Sequence, residues 1–326
     1  MPVAWERGNV LATTGYVYDD RYLLHDPGAF HVERPQRLQA IHRRLQETGL
    51  LDKLVTLTPA PAPLEWITTL HDPGYVERFR RACEKGHPIL DTGDCGICPK
   101  SYEIALLAVG GVLAAADALM AGTVNNAFCA IRPPGHHAER NRAMGFCFFN
   151  NIALGARYLQ KQHGLQKIAI VDWDVHHGNG TQHLFETDPT VFYISLHQDP
   201  YTLYPGTGKS SEIGRGAGEG TTLNVPLPPG SGDKDYLQAL DKLVLPKLRA
   251  FAPEFLLISA GFDAHADDPL ASMLLTENGY RDMGAKLAAF AQEACQGRLI
   301  TVLEGGYNLS VLAACVADHI RILLSQ

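Results

Sequence analysis

Apolar, β-prone runs alternate with longer amphipathic stretches along the whole chain, and this alternation restricts the fold more than any single motif does. The runs are Leu11–Val17, Leu54–Leu57, Ala127–Ile131, Ile168–Val171, Val191–Leu196, Phe255–Ser259 and Leu299–Leu303. Several are unbroken Val/Ile/Leu/Phe segments, the pattern of parallel strands covered on both faces. Between them the spacing predicts helices over Gln36–Glu47, Pro73–Lys85, Tyr102–Ala121, Asn151–His163, Lys234–Phe251, Glu277–Gln296 and Leu309–Leu324. Such a succession implies right-handed crossovers and an α/β fold with a mainly parallel central sheet flanked by helices. At 326 residues the chain is long enough to bury a large core as one domain over residues 1–326. Pro59–Pro63, Pro205–Gly220 and Pro226–Gly232 read as loops, and no repeat or linker divides the chain.

A hydrophobic content of 46% and a charged content of 19% are ordinary for a globular enzyme. The net charge of -7 and the lack of a basic run argue against direct nucleic-acid binding. An acidic surface suits cationic substrates such as lysine side chains or polyamines, and it equally serves plain solubility. Seven cysteines, an odd number in a long chain, argue against a disulfide framework. Cys95-Gly96-Ile97-Cys98 forms one C-x-x-C with no second pair, so a loop with two free thiols competes with a redox or zinc role. No basic-then-apolar leader is recognised, and no apolar run reaches the ~18 residues of a membrane span. The expectation is no membrane association and a reducing cytoplasm.

Chemistry-bearing residues cluster just after the predicted strands. In open α/β sheets ligands bind outside the carboxyl ends of the strands, and His136, Asp174, Asp263 and Tyr307 each follow a strand by a few residues. Asp174 and His176 are spaced i, i+2, which on an extended strand end points both to one side. Ser259-Ala260-Gly261-Phe262-Asp263 adds a second carboxylate. Two carboxylates and one imidazole leave coordination positions open, as a catalytic zinc site requires. The lack of thiolate ligands also admits iron or cobalt. A mere turn-capping role for Asp174 and His176 is disfavoured by Asp172, His177 and Gly178-Asn179-Gly180 alongside them.

Arg132-Pro133-Pro134-Gly135-His136-His137-Ala138 sets two adjacent histidines after a stiff turn. Metal-assisted hydrolysis needs a base for its water and an acid for its leaving group. An imidazole serves either role near neutral pH. Each histidine needs a partner on its other ring nitrogen, and Asp172 and Asn179 are the candidates. An anionic partner raises its histidine's pKa, whereas a neutral amide orients without that push.

Taken with His31-x-Glu33-Arg34-Pro35-x-Arg37, Gly145-Phe146-Cys147-Phe148-Phe149-Asn150, Ser195-Leu196-His197, Tyr204-Pro205-Gly206-Thr207-Gly208 and Glu304-Gly305-Gly306-Tyr307-Asn308-Leu309, these motifs run in one family's order. From about Tyr16 to its C-terminus the chain resembles the zinc-dependent histone deacetylase superfamily, which includes the acetylpolyamine amidohydrolases. The resemblance implies the arginase/deacetylase fold. It implies Zn²⁺ on Asp174, His176 and Asp263, His137 as general base and then acid with Asn179 behind it, and a largely protonated His136 bonded to Asp172. Tyr307 would donate its hydroxyl to the substrate carbonyl; glycines before it would let it swing close. Gly145, Phe146 and Tyr204 would line an acyl channel, Tyr204 standing where phenylalanine is usual. Structural K⁺ ions would sit on Asp172, Asp174, His176, Ser195 and Leu196, and near Phe185, Asp188 and Val191, largely through backbone carbonyls. Asp94 matches the rim position that holds substrate backbone amides.

Trp173 and Asn179 lean toward the class II side of the family, Asn179 standing where class I members carry aspartate. Leu270, in Asp267-Asp268-Pro269-Leu270, occupies the position where polyamine-selective members place a glutamate, and so favours acyl-lysine. The leading expectation is a deacetylase of N-acetyl-lysine in proteins or peptides. An acetylpolyamine amidohydrolase is the nearest alternative, followed by a silent acyl-lysine-binding module and by hydrolysis of another small amide. The Gly86–Pro99 segment fits a lid, a rim or a dimer contact.

Overall fold

A computed structural model describes residues 13–326; Leu11 and Ala12 of the first expected strand lie outside the described residues. Among the described residues eight strands form one sheet: β1 (Thr14–Val17), β2 (Val55–Leu57), β3 (Asn126–Cys129), β4 (Ile168–Asp172), β5 (Val191–Gln198), β6 (Thr222–Leu227), β7 (Phe255–Ala260) and β8 (Leu299–Leu303). Their order is β2-β1-β3-β8-β7-β4-β5-β6, and every pairing is parallel. The expected mainly parallel sheet is thus wholly parallel. Strands β1, β3, β4, β5, β7 and β8 are buried along their whole length, which accounts for the apolar runs among them.

Strand β6 differs from the sequence expectation, which places Pro226 and Leu227 in a loop. Its Thr, Asn and Pro residues give no apolar run, and it lies at the sheet's edge, where a proline's missing N–H costs no ladder bond. The tenth and last helix closes the fold on the same side as the first. In chain order the helices are α1 (Gln36–Glu47), α2 (Leu64–Ile67), α3 (Pro73–Glu84), α4 (Ser101–Met120), α5 (Asn151–His163), α6 (Asn179–Phe185), α7 (Asp233–Ala239), α8 (Leu245–Phe251), α9 (Glu277–Ala294) and α10 (Leu309–Leu324). Helices α2 and α6 escaped the sequence reading because each is two turns or less. The stretch expected as one helix over Lys234–Phe251 is α7 and α8 joined by a π-helical segment, Leu240–Val244.

Helix α4 is long and apolar enough to cross a membrane by length and composition, a reach the sequence reading did not assign to any segment. It is a core helix, 67% of its most apolar window being buried in the protein. It packs on β1 and β3 and against α5, while α10 packs on the same two strands together with α1 and α9. The sheet therefore carries a helical layer on each face. Side-chain caps set where the helices begin. Asp72 accepts from the N–H groups of Gly74 and Tyr75 at the start of α3, Asn150 from Ala153 in α5, and Asn308 from Ser310 and Val311 in α10.

Candidate active site

Strands β3, β8, β7 and β4 are neighbours at the centre of the sheet, so the loops after them open at one place. Those loops carry His136 and His137, Tyr307, Asp263, and Asp174 with His176. Asp174 and His176 do not continue β4 as an extended strand; the chain bends after Asp172. Their convergence comes from Asp174 Oδ1, which accepts the His176 backbone N–H at 2.9 Å and folds the segment back.

One ligand atom each from Asp174, His176 and Asp263 lies within 4.8 Å of the others, and all three residues are buried. His176 Nδ1 is 3.0 Å from Asp174 Oδ1 and 3.2 Å from Asp263 Oδ2. Asp263 Oδ1 accepts from Val175 N–H at 3.0 Å and Asp174 Oδ2 from Gly305 N–H at 2.8 Å. Asp263 Oδ2, by contrast, is buried and, apart from the nearby His176 Nδ1, has no hydrogen-bond partner among the described residues. Burial and the adjacent Asp174 charge push the Asp263 carboxyl up. A cation among the three relieves both the orphaned oxygen and the repulsion, so the donor set fits a metal. Gly305 is required here, because a Cβ on it would stand 2.1 Å from Asp263 Oδ2 and 2.6 Å from Asp174 Oδ2.

The two histidines have the separate partners the sequence reading gave them. His136 Nδ1 is 3.0 Å from Asp172 Oδ2, which also accepts from Tyr193 Oη at 3.1 Å. Burial alone would lower the His136 pKa, but the Asp172 and Asp174 carboxylates outweigh it and hold it up at about 10. His137 Nδ1 is 2.7 Å from Asn179 Oδ1. Burial, and then the charge of His136 with its ring centroid 4.0 Å away, push His137 well below the usual imidazole range. The carboxylates beside His136 and the burial of His137 thus push the two imidazoles in opposite directions within a single pocket.

These side chains open into a cavity of about 270 Å³, which Asp94, Gly145, Phe146, Tyr204, Leu270 and Tyr307 also line. Phe146 has φ +68°, a strained value for a bulky residue, and its ring meets Tyr307 edge-on at 5.9 Å. Tyr204 is 42% exposed at the mouth, its ring 5.2 Å from His137. Leu203, which was not anticipated, lines the same wall. Asp94 Oδ2 accepts from Gly145 N–H at 3.0 Å while its Oδ1 is buried and unpartnered. Asp91 Oδ2 holds Ala143 N–H at 2.8 Å, so the Gly86–Pro99 segment is built into the rim. Within it Cys95 is buried and Cys98 partly so, and both are free.

Tyr307 is held through its backbone. Its N–H donates to Asp268 Oδ2 at 2.7 Å, Gly306 O accepts from Arg37 Nε at 2.7 Å, and the Arg37 guanidinium lies 5.1 Å from its ring centre. Of the two preceding glycines, Gly305 serves close approach to the carboxylates, and Gly306 adopts φ +114° against Leu312 and Phe262. Glu304, at the head of the Glu304-Gly305-Gly306-Tyr307 motif, is another working residue. It is fully buried and accepts from the N–H groups of Gly135 (2.7 Å) and His136 (3.2 Å) and from Ser259 Oγ (2.7 Å). It ties the histidine turn to the ends of β7 and β8.

Of the expected cation-binding residues, Asp172 pairs with Ser195 across β4 and β5, which sets Leu196 beside the metal segment. Phe185 ends α6, Val191 begins β5, and Asp188 lies in the loop between them. Asp188 spends its carboxylate on Thr190 N–H (2.9 Å) and Arg157 Nη2 (2.8 Å).

Residues 31–323 match the histone deacetylase domain family. The chain is 44% identical over 312 residues to a probable deacetylase of Archaeoglobus fulgidus, covering 92% of this chain and 86% of that one. It is 42% identical over 287 residues to a histone deacetylase-like amidohydrolase of Pseudomonas aeruginosa, covering 88% and 75%. The crystal structure of the HDA15 HD domain superposes with a TM-score of 0.92 at 38% identity, covering 97% of this chain and 89% of that one. With its parallel sheet, its buried Asp–His–Asp cluster and its paired histidines, the chain belongs to the histone deacetylase family.

Proposed function

We propose that the protein is a zinc-dependent deacetylase that hydrolyses N-acetyl-lysine side chains of proteins or peptides. The observation that carries this reading is the buried Asp174–His176–Asp263 cluster at the base of a cavity that His137 and Tyr307 line. Zinc held there would supply Lewis acidity to the amide carbonyl and to the attacking water. His137, with Nδ1 committed to Asn179, offers Nε2 to take the water's proton and return it to the departing amine. His136 stays protonated beside it and orients the water. Tyr307 donates its hydroxyl to the carbonyl oxygen as negative charge develops, and its pinned backbone keeps the cost of that alignment low. Phe146, Tyr204 and Leu270 form a wall suited to a lysine's methylene stem. K⁺ ions on the carbonyl-rich ends of β4 and β5 and along the Phe185–Val191 segment would hold that scaffold. Seven free cysteines fit a reducing compartment such as the cytoplasm.

The test is turnover of an acetyl-lysine peptide beside N-acetylated putrescine and spermidine, with a Tyr307→Phe control. A peptide preference of about 100-fold, roughly 2.7 kcal/mol of transition-state discrimination, is expected. The reverse preference would make the protein a polyamine enzyme, and binding without turnover would make it an acyl-lysine reader.

A further inference from the structure

Behind His137, Asn179 is itself held. Its Nδ2 donates to Glu139 Oε1 at 2.5 Å, to Met144 Sδ at 3.3 Å and, at a longer 3.4 Å, to His137 O. Glu139 Oε1 also accepts from His183 Nδ1, on α6, at 2.8 Å. The Glu139 peptide is fixed from both sides. Its carbonyl accepts from His71 Nδ1 at 2.9 Å, while His71 Nε2 accepts from Asn150 N–H at 3.0 Å. Its N–H donates to Arg142 O at 3.0 Å, and Arg140 O accepts from Asp72 N–H at 2.8 Å. The Glu139 side chain is 19% exposed.

An asparagine amide presents an oxygen and an NH₂ of nearly the same shape, so Asn179 alone does not decide which one faces His137. A carboxylate only accepts. Facing Glu139, Asn179 turns its NH₂ outward and its oxygen toward His137 Nδ1. Nδ1 then carries the proton, and Nε2 keeps its lone pair toward the cavity. With the amide reversed, Nδ2 would donate to Nδ1, the proton would sit on Nε2, and the base would be lost. We propose that Glu139 is a positioning residue that sets the His137 tautomer through Asn179. The proposal rests on the reading of His137 as the base. Glu139 returns, one step further out, the carboxylate that a neutral Asn179 lacks, without placing a second anion against the imidazole.

The experiment compares Glu139→Gln, Glu139→Ala and Glu139→Asp with the zinc-loaded wild type, using kcat and KM on an acetyl-lysine peptide and ¹⁵N-histidine spectra of the His137 tautomer. Glutamine keeps the shape but tolerates either orientation of Asn179. Losses of about 10- to 100-fold in kcat are expected for the Gln and Ala variants, with KM little changed and partial recovery in the Asp variant. The His137 signals should shift toward the Nε2–H form while melting temperature and zinc content hold. A kcat within about twofold of wild type in both variants would overturn the proposal. So would a kcat loss with the tautomer unmoved, since Glu139 would then act only on local structure. If the wild type turns over no acetylated substrate, the functional reading fails by itself, and the tautomer spectra still decide the role of Glu139.

Discussion

Replacing Glu33 by glutamine is expected to destabilise the protein by about 3–5 kcal/mol, the loss typical of breaking a buried ion pair from one side. Glu33 is fully buried between two fully buried arginines. It accepts from Arg132 Nε and Nη2, both at 2.8 Å, and from Arg37 Nη1 at 3.2 Å. Glutamine would keep the oxygen that serves Arg132 Nε and Arg37. Its NH₂ would then meet Arg132 Nη2, donor against donor. One charge-assisted hydrogen bond, worth about 1.5–3 kcal/mol, is lost, and two guanidiniums remain buried with no anion between them. Burial opposes ionisation of Glu33, but the guanidiniums outweigh it and hold its carboxyl far below the usual range. A carboxylate with a depressed folded-state pKa contributes stability above its unfolded value and loses it only as pH falls through the folded one. The loss in Glu33→Gln should therefore be the same at pH 6 and pH 8. Activity should fall with it, because Arg37 also holds Gly306 O and lies against the Tyr307 ring. The assay is urea unfolding of wild type, Glu33→Gln, Arg132→Met and the double variant. The cycle should show strong coupling, with Arg132→Met costing far less in the Glu33→Gln background. A loss below about 1 kcal/mol at unchanged m-value, or an additive cycle, would refute the reasoning.

Prolonged chelation should abolish turnover and lower the melting temperature, because it returns two buried carboxylates to mutual repulsion; readdition of zinc or cobalt should restore both, and activity that survives complete metal removal would contradict the metal reading. Gly305→Ala should fold yet bind metal poorly, since its Cβ would stand 2.1 Å from Asp263 Oδ2; metal content of the purified variant is the measurement, and stoichiometric zinc would count against the geometry. Burial holds the His71 and His319 imidazoles neutral down to about 4, against 6.5 for an ordinary histidine. Between those values the unfolded chain binds more protons than the folded one, so stability complete above pH 6.5 is lost as pH falls toward 4, and the melting temperature should drop across that window rather than stay flat.

The apolar runs themselves declared the parallel, two-sided sheet, because a strand covered on both faces has no polar side to alternate with. Edge strand β6 and the short helix α6 carry no such signature, β6 being placed by its pairing with β5. The donor types of the site were equally legible: Asp174, His176, Asp263, His136, His137 and Tyr307 stand where strands end, and nothing but strand ends at the middle of the sheet could gather them. Tertiary structure alone decided how those groups are held. Glu304 reaching back to the Gly135–His136 turn, Arg37 clasping Gly306, and Glu139 orienting Asn179 all join residues far apart in the chain, or across turns whose direction no local pattern specifies. Sequence determines which functional groups exist and the periodicity that sorts them into elements. Hydrogen-bond direction and proton position depend on which buried donor meets which acceptor, and that is settled only when the chain has packed.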